Sequence, residues 1–291
     1  MNPSGAAGRN VARLSIMISG ALAAVKIAAG LKAHSTAVVS DGIESASDVF
    51  ASSLVLFGLL MAAKPPDAEH PYGHGRLETL SGMGVGMVLA AMGALISVES
   101  IQRALRPHGP PAFFAVWPVL LSIVIKASMY FTKRGYGLKL HSSSLAADAW
   151  NDGVDTISGT VALTGVGIES LFPRISMADE LGGFVVGLIV IILGIRIVRD
   201  TTYQLMDTMP APHMLKEVRD VALTVPGALG IEKCFARKTG LQYHVDLHLE
   251  VDPNMTVSAS HKIATEVREK IREKLSWVAD VLVHVEPHGL A

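Results

Sequence analysis

Four oxygen-bearing side chains stand in segments otherwise apolar enough to cross a membrane. Glu44 and Asp48 lie in the run 36–63, and Asn151 and Asp155 in the run 143–172. Each pair is spaced i, i+4, so each projects from one face of its helix. A charge at the bilayer centre costs about 2.5 to 3.5 kcal/mol even on the lenient insertion scale, so such groups usually mark an ion path. Within the motifs DGIESASD (41–48) and DAWNDGVD (148–155), an acidic residue precedes each pair by three. Asp41, Glu44 and Asp48 therefore form one stripe, and Asp148, Asn151 and Asp155 another. Two facing stripes give a four-oxygen cage for a cation; the alternative is that they line a water-filled cavity or cap broken helices.

Two further constellations carry metal-binding chemistry. The loop DAEHPYGHG offers Asp67, His70 and His74. Pro71 and Gly73 argue against a zincin helix, and no glutamate follows His70. The loop can instead fold its three ligands around one zinc-like ion, or be solvated polar surface. Near the carboxyl end, His244, His248, His261, His284 and His288 accompany Glu232, Asp246 and Glu286. Imidazole beside carboxylate suits Zn, Fe, Co or Ni. With a single cysteine, Cys234, a disulfide framework and a Cys-rich metal site are both excluded.

The elements that must position these groups follow from composition. Half of the 291 residues are hydrophobic and 18% are charged, and the mean hydropathy is +0.41, too apolar for an ordinary soluble domain. A formal net charge of -1, with no basic cluster, argues against a nucleic-acid partner. Spans of about 20 apolar residues are expected at 11–32, 36–63, 77–104, 112–134, 143–172 and 178–202. The first runs too long for a secretory signal, and its Lys26 either snorkels or balances the carboxylates of the next helix. Six spans put both termini on one side. Arg9, Arg13, Lys64, Arg76, Lys133, Arg134, Lys139, Arg196 and Arg199 fall there, against Lys32, Arg103, Arg106 and Arg174, so that side is expected to be cytoplasmic.

After Asp207 the texture becomes charged and amphipathic. A helix is expected at 213–224, strands at 228–237 and 241–251, a helix at 257–275 capped by Ser258 or Ser260, and a strand at 279–286. The second strand alternates Tyr243, Val245, Leu247, Leu249 and Val251 with His244, Asp246, His248 and Glu250. About 80 residues of this kind have a modest core and gain from dimerising.

The chain resembles the cation diffusion facilitator family over nearly its whole length. Six spans, carboxylate-bearing second and fifth helices, the HPYGHG loop and a terminal αββαβ arrangement occur in the family's order. The resemblance implies a membrane all-α bundle of six helices (1–207) followed by a small cytoplasmic α+β, metallochaperone-like domain (208–291). It implies a homodimer in the lipid bilayer, in the bacterial inner membrane. The activity it implies is export of divalent metal cations (Zn, Mn, Fe, Co or similar) in exchange for protons, with no cofactor beyond the bound metal. It places the transport site on Glu44, Asp48, Asn151 and Asp155, a loop site on Asp67, His70 and His74, and a cytoplasmic site on Glu232, His248, His261, His284 and Glu286. Arg76 and Asp207 resemble the family's charge pair joining the membrane and cytoplasmic parts.

The family commonly has histidine among the transport ligands, and this chain has none there. An all-oxygen set is harder and leans toward Mn or Fe, with Zn still in play. The competing functions are a metal-sensing membrane dimer without transport and an intramembrane metalloenzyme. The latter lacks both HExxH and a serine or cysteine beside a histidine base, so no enzyme is expected.

Overall fold

A computed structural model describes residues 3–32, 36–105, 116–171 and 178–289 of the chain. Six long helices come first: α1 (Pro3–Lys32), α2 (Thr36–Ala62), α3 (Arg76–Ala104), α4 (Val116–Lys139), α5 (Ser143–Leu171) and α6 (Ala178–Leu205). They are followed by α7 (Pro212–Ala222), β1 (Gly230–Thr239), β2 (Gln242–Val251), α8 (Val257–Lys274) and β3 (Val278–Pro287). The αββαβ order is the one expected, and every span expected from hydropathy is helical where it is described.

The six-helix half is built with its polar groups inside. Met17, Phe50, Leu95, Val124, Phe131 and Ile192 are exposed on its outer surface, whereas Lys26, Asp48, Lys126, Lys133, Asp148, Asn151 and Asp152 are buried. In water that distribution would be unstable; in lipid it is the one that satisfies both solvents. Among the described residues, three stretches are long and apolar enough to cross a membrane: Ala6–Ala28, Arg76–Gln102 and Leu181–Leu205. The described part of α2 adds a shorter apolar stretch, Asp48–Ala62, while α4 and α5 carry the buried charges.

The helices associate chiefly as α3 with α6, α1 with α2 and α4 with α5. Between α3 and α6 small residues let the backbones touch. A Cβ on Gly93 would lie 2.7 Å from the Ile191 amide nitrogen, and one on Gly194 would lie 2.5 Å from that of Ala90. Helix association in lipid depends on such close packing rather than on a hydrophobic drive.

The terminal half is a three-stranded sheet in the order β1-β2-β3, with β1 antiparallel and β3 parallel to β2. The β1–β2 hairpin turns at Gly240, whose φ of +71° suits the first loop position of a two-residue turn. The parallel return to β3 requires a crossover, which α8 supplies. Val245, Leu247, Leu249 and Val251 face a core completed by Val218 of α7 and Val267 and Ile271 of α8. The alternation read in β2 therefore sorts its residues as expected, leaving His244, Asp246, His248 and Glu250 on the other face. Two details differ from expectation. Thr256, not Ser258 or Ser260, caps α8, its side chain accepting the Ala259 N–H. The fourth helix runs on to Lys139, five residues beyond its expected end, with Arg134, Tyr136 and Lys139 exposed along that last stretch.

Candidate functional site

Asp48 comes from α2, Asn151, Asp152 and Asp155 from α5, and Lys126 from α4. Asp48, Asn151 and Asp155, together with Val88, Leu89, Met92 and Ile96, line a cavity of about 20 Å³, room for one water-sized occupant. Asn151 Nδ2 donates to Asp48 Oδ1 at 2.6 Å. Lys126 Nζ donates to Asp48 Oδ2, pairs with Asp155 Oδ2 at 2.8 Å and donates to Asp152 Oδ1 at 3.1 Å. The expected transport residues Asp48, Asn151 and Asp155 are thus brought together. The side chain of Glu44 lies outside the described residues, as does that of Asp41.

The structure corrects the expected stripe at its other end. Asp148 does not join the cage: it pairs with Lys133 Nζ at 2.9 Å and accepts from the Ser52 hydroxyl at 3.1 Å. Lys133, counted above among the cytoplasmic charges, is 1% exposed and also meets Asp152 Oδ2 at 2.5 Å. Lys26 does not snorkel either; it is buried and donates to Ser45 and Ser122, each at 3.1 Å. Asp48, Asp148, Asp152 and Asp155 with Lys126 and Lys133 therefore form one ladder across α2, α4 and α5. Four carboxylates against two ammonium groups leave a formal charge of −2, which one dication would balance. The sequence signal for the ladder was the i, i+7 spacing of Lys126 and Lys133, matched by Asp148, Asp152 and Asp155 on one face of α5.

The loop between α2 and α3 gathers Asp67, His70 and His74, one candidate ligand atom from each lying within 4.8 Å of the others. Asp67 Oδ1 accepts the His70 N–H at 2.7 Å and the Glu69 N–H at 3.1 Å, an Asx-type turn that fixes the carboxylate. That backbone bond, and then the neighbouring imidazoles, hold the Asp67 carboxyl below the usual carboxylate range. His74 Nδ1 is buried without a hydrogen-bond partner. Its other nitrogen, Nε2, faces Asp67 Oδ2 at 3.4 Å and is the one placed to share a metal with that carboxylate.

On the polar face of the sheet His248, His284 and Glu286 form a second grouping. Parallel pairing sets His248 beside His284, with ring centroids 5.1 Å apart. His248 Nδ1 meets Glu286 Oε1 at 2.6 Å and Glu232 Oε2 at 3.7 Å. Glu232 reaches this face through a bulge in β1, where two residues oppose one of β2 between Ile231 and Cys234. Its carboxyl is held below its usual range, first by a hydrogen bond with Glu286 and then by Lys233. His261, expected here, sits on α8 in the helical layer and is outside the grouping.

Polar contacts gather at the end of the bundle that meets the sheet. Arg76 Nη2 donates to Asp207 Oδ1 at 2.6 Å, as the expected charge pair. Asp207 ends α6 with φ +59°, a left-handed stop that Asp tolerates better than most residues. Lys238 of β1 is buried and reaches Ser143 Oγ at 2.7 Å and Gln204 Oε1 at 3.1 Å; burial pushes its ammonium below the usual lysine range. Glu78 of α3 accepts the Ser144 N–H and the Ser142 hydroxyl, both at 2.7 Å, capping the start of α5. Tyr72 of the histidine loop packs edge-on against His244 and lies under the Arg237 guanidinium.

Known proteins carry the same pattern. The sequence pattern described as "Cation efflux transmembrane domain" matches residues 12–206, and that described as "Cation efflux protein, cytoplasmic domain" matches 210–288. The manganese efflux system protein MneP of Bacillus subtilis is 30% identical over 96% of both chains. The magnetosome protein MamM of Magnetospirillum gryphiswaldense is 30% identical over 98% of this chain and 91% of its own. Metal tolerance protein C1 of Arabidopsis thaliana is also 30% identical, over 97% of this chain, which spans only 63% of that relative's length. A solved MamM-CTD structure is 25% identical over 27% of this chain and all of its own, with a TM-score of 0.26.

Proposed function

The chain belongs to the cation efflux family, a family of multi-pass membrane transporters of divalent metals and not of enzymes, and from that premise we propose how its own residues do the work. The half spanning 1–207 carries the metal across the cell membrane, and the half spanning 208–291 binds metal and a second copy of itself on the cytoplasmic side. Support for that orientation comes from Arg9, Arg13 and Lys64, which gather at the end of the bundle nearest the sheet.

The transported ion is held by Asp48, Asn151 and Asp155, with Glu44 as the fourth ligand. The observation that carries this reading is the small cavity shared by those three side chains from two helices. Oxygen ligands without histidine favour a hard ion, Mn or Fe before Zn, and a relative named for manganese efflux agrees with that order. Metal and protons compete for the same carboxylate oxygens, so mutual exclusion is sufficient to couple outward metal movement to inward proton return. Rocking of helices about the site would expose it to each side in turn.

Asp67, His70 and His74 form a loop metal site, and Glu232, His248, His284 and Glu286 a cytoplasmic one to which His261 contributes from elsewhere in the dimer. Support for coupling these to transport comes from Tyr72, which links the loop to β1 and β2, and from Lys238, which links β1 to the ends of α5 and α6. A metal that draws two cytoplasmic halves together biases the membrane half only to the extent that it binds the two states unequally.

Flux measurements test the reading. Full-length protein in vesicles loaded with a proton-sensitive dye should move Mn²⁺ against a counterflow of protons, and Asp48→Ala and Asp155→Ala should each abolish both fluxes. Metal flux without proton counterflow would sink the exchange mechanism; undiminished flux in both variants would sink the site.

A further inference from the structure

We propose that Lys126 is a tethered cation that occupies the transport carboxylates in the metal-free state and is handed to Asp152 when a dication enters. The inference rests on the transport-site reading above and goes beyond it, since it names the group the metal must displace. Asp48 and Asp155 adjoin two positions a cation can take. One is the small cavity bounded by α3; the other is that of the Lys126 ammonium, which meets both carboxylates without lining the cavity.

Both oxygens of Asp48 are already engaged, Oδ1 by the Asn151 amide and Oδ2 by Lys126, and Asp155 Oδ2 is 2.8 Å from the same ammonium. A dication that takes these carboxylates must therefore take oxygens the lysine now holds. Two cations on one carboxylate pair repel strongly where water is excluded. The lysine has somewhere to go. Asp152 Oδ1 is already 3.1 Å from Nζ, Asp152 is 1% exposed and does not line the cavity, and the four-carbon stem can shift the ammonium without moving the backbone. Asp152 offers Lys126 its Oδ1, while Lys133 lies against the other oxygen and keeps Asp148 as a second partner.

The device has a transport consequence. An empty site closed by its own cation lets the helices return without carrying a foreign ion. The ammonium that comes back to Asp48 and Asp155 also helps expel the metal on the releasing side. The apparent metal affinity is lowered in proportion to the fraction of time the lysine holds the site.

The test is Mn²⁺ binding to full-length protein by equilibrium dialysis, taking the component that Asp155→Ala removes, together with vesicle flux. Lys126→Met alone also alters the site's charge, so the deciding variant is Lys126→Met/Asp152→Asn, which removes one cation and one anion and keeps the formal −2. It should bind Mn²⁺ about tenfold tighter than wild type, as expected for a site freed of a competitor that fills it nine-tenths of the time, and should export it more slowly. Lys126→Arg should bind more weakly than wild type, because a guanidinium grips two carboxylates with two bonds and yields them less readily. Equal affinity in wild type, the double variant and the arginine variant would make Lys126 a fixed counter-ion and overturn the proposal. Should Asp155→Ala remove no Mn²⁺ component at all, the transport-site reading itself fails, an outcome distinct from a wrong order among the lysine variants.

Discussion

The membrane and cytoplasmic halves both gather carboxylates around a place for a cation, yet they do so under opposite solvents. In the membrane half Lys133 and Asp148 are 1% and 0% exposed; in the cytoplasmic half the pair formed by Arg268 of α8 and Asp280 of β3 is 47% and 40% exposed. The membrane carboxylates come with two lysines of their own, because uncompensated charge in a dry interior is too costly to leave waiting for a metal. On the sheet face His284 is exposed, His248 and Glu286 are partly buried, and the cation nearest their cluster among the described residues, Lys233 beside Glu232, is half exposed. Burial thus decides whether a metal site carries an internal counter-ion, and ligand type then decides which metal it favours.

The comparison is broken most directly by removing the shared anion. Asp152→Ala takes a carboxylate from both Lys126 and Lys133 at once; each keeps another acid, so the loss should fall between the about 1 kcal/mol of exposed pairs and the about 3 to 5 kcal/mol of a buried pair left uncompensated. Thermal unfolding of the detergent-solubilised protein should show a loss on that scale. A cost under about 1 kcal/mol, the range of exposed pairs, would mean that water reaches the lysines and that the two halves do not differ as described.

A smaller effect should come from giving one site the other's chemistry. Asn151→His places an imidazole into an oxygen site, imitating the histidine-bearing sheet cluster. The export ratio of Zn²⁺ to Mn²⁺ should rise on the order of tenfold, about 1.4 kcal/mol of ligand preference. Vesicle uptake across both metals reads it. An unchanged ratio would show that ligand softness does not set the selectivity of the membrane site.

How legible each half was follows from the same contrast. The cytoplasmic fold could be read from strict alternation in β2, and its site from histidines on the polar face, since register alone places His248 beside His284. What alternation could not show was the bulge that turns Glu232 toward His248, because an extra residue leaves no mark in composition. In the membrane half Asp48, Asn151 and Asp155 were legible from i, i+4 spacing. Lys126, Lys133 and Asp152 were missed for a physical reason: Lys133, near the end of its apolar run, resembles an interfacial anchor, and only the packing of α4 on α5 brings either lysine opposite acids. Asp148 keeps its place on the expected helical face, and its partner there is Lys133.

The exposed pair of the cytoplasmic half should respond least to loss of a partner. Arg268 donates to both Asp280 oxygens, at 2.8 and 2.7 Å, and these bonds hold the Asp280 carboxyl below the usual carboxylate range. A carboxyl whose folded value is depressed contributes stability that is complete above its unfolded value of about 3.9 and is lost as pH falls through the lower folded value. Because the pair is exposed, Asp280→Asn should cost no more than about 1 kcal/mol near neutrality. Hydrogen exchange of the α8 and β3 amides in the full-length protein reads that loss locally. The difference between wild type and variant should shrink in acid and with added salt, because solvent already screens the pair. A loss as large as that of Asp152→Ala, or one indifferent to both acid and salt, would place Arg268 and Asp280 in the same energetic class as Lys133 and Asp148. Exposure would then no longer explain why the membrane half buries its lysines while Lys233 beside Glu232 stays in water.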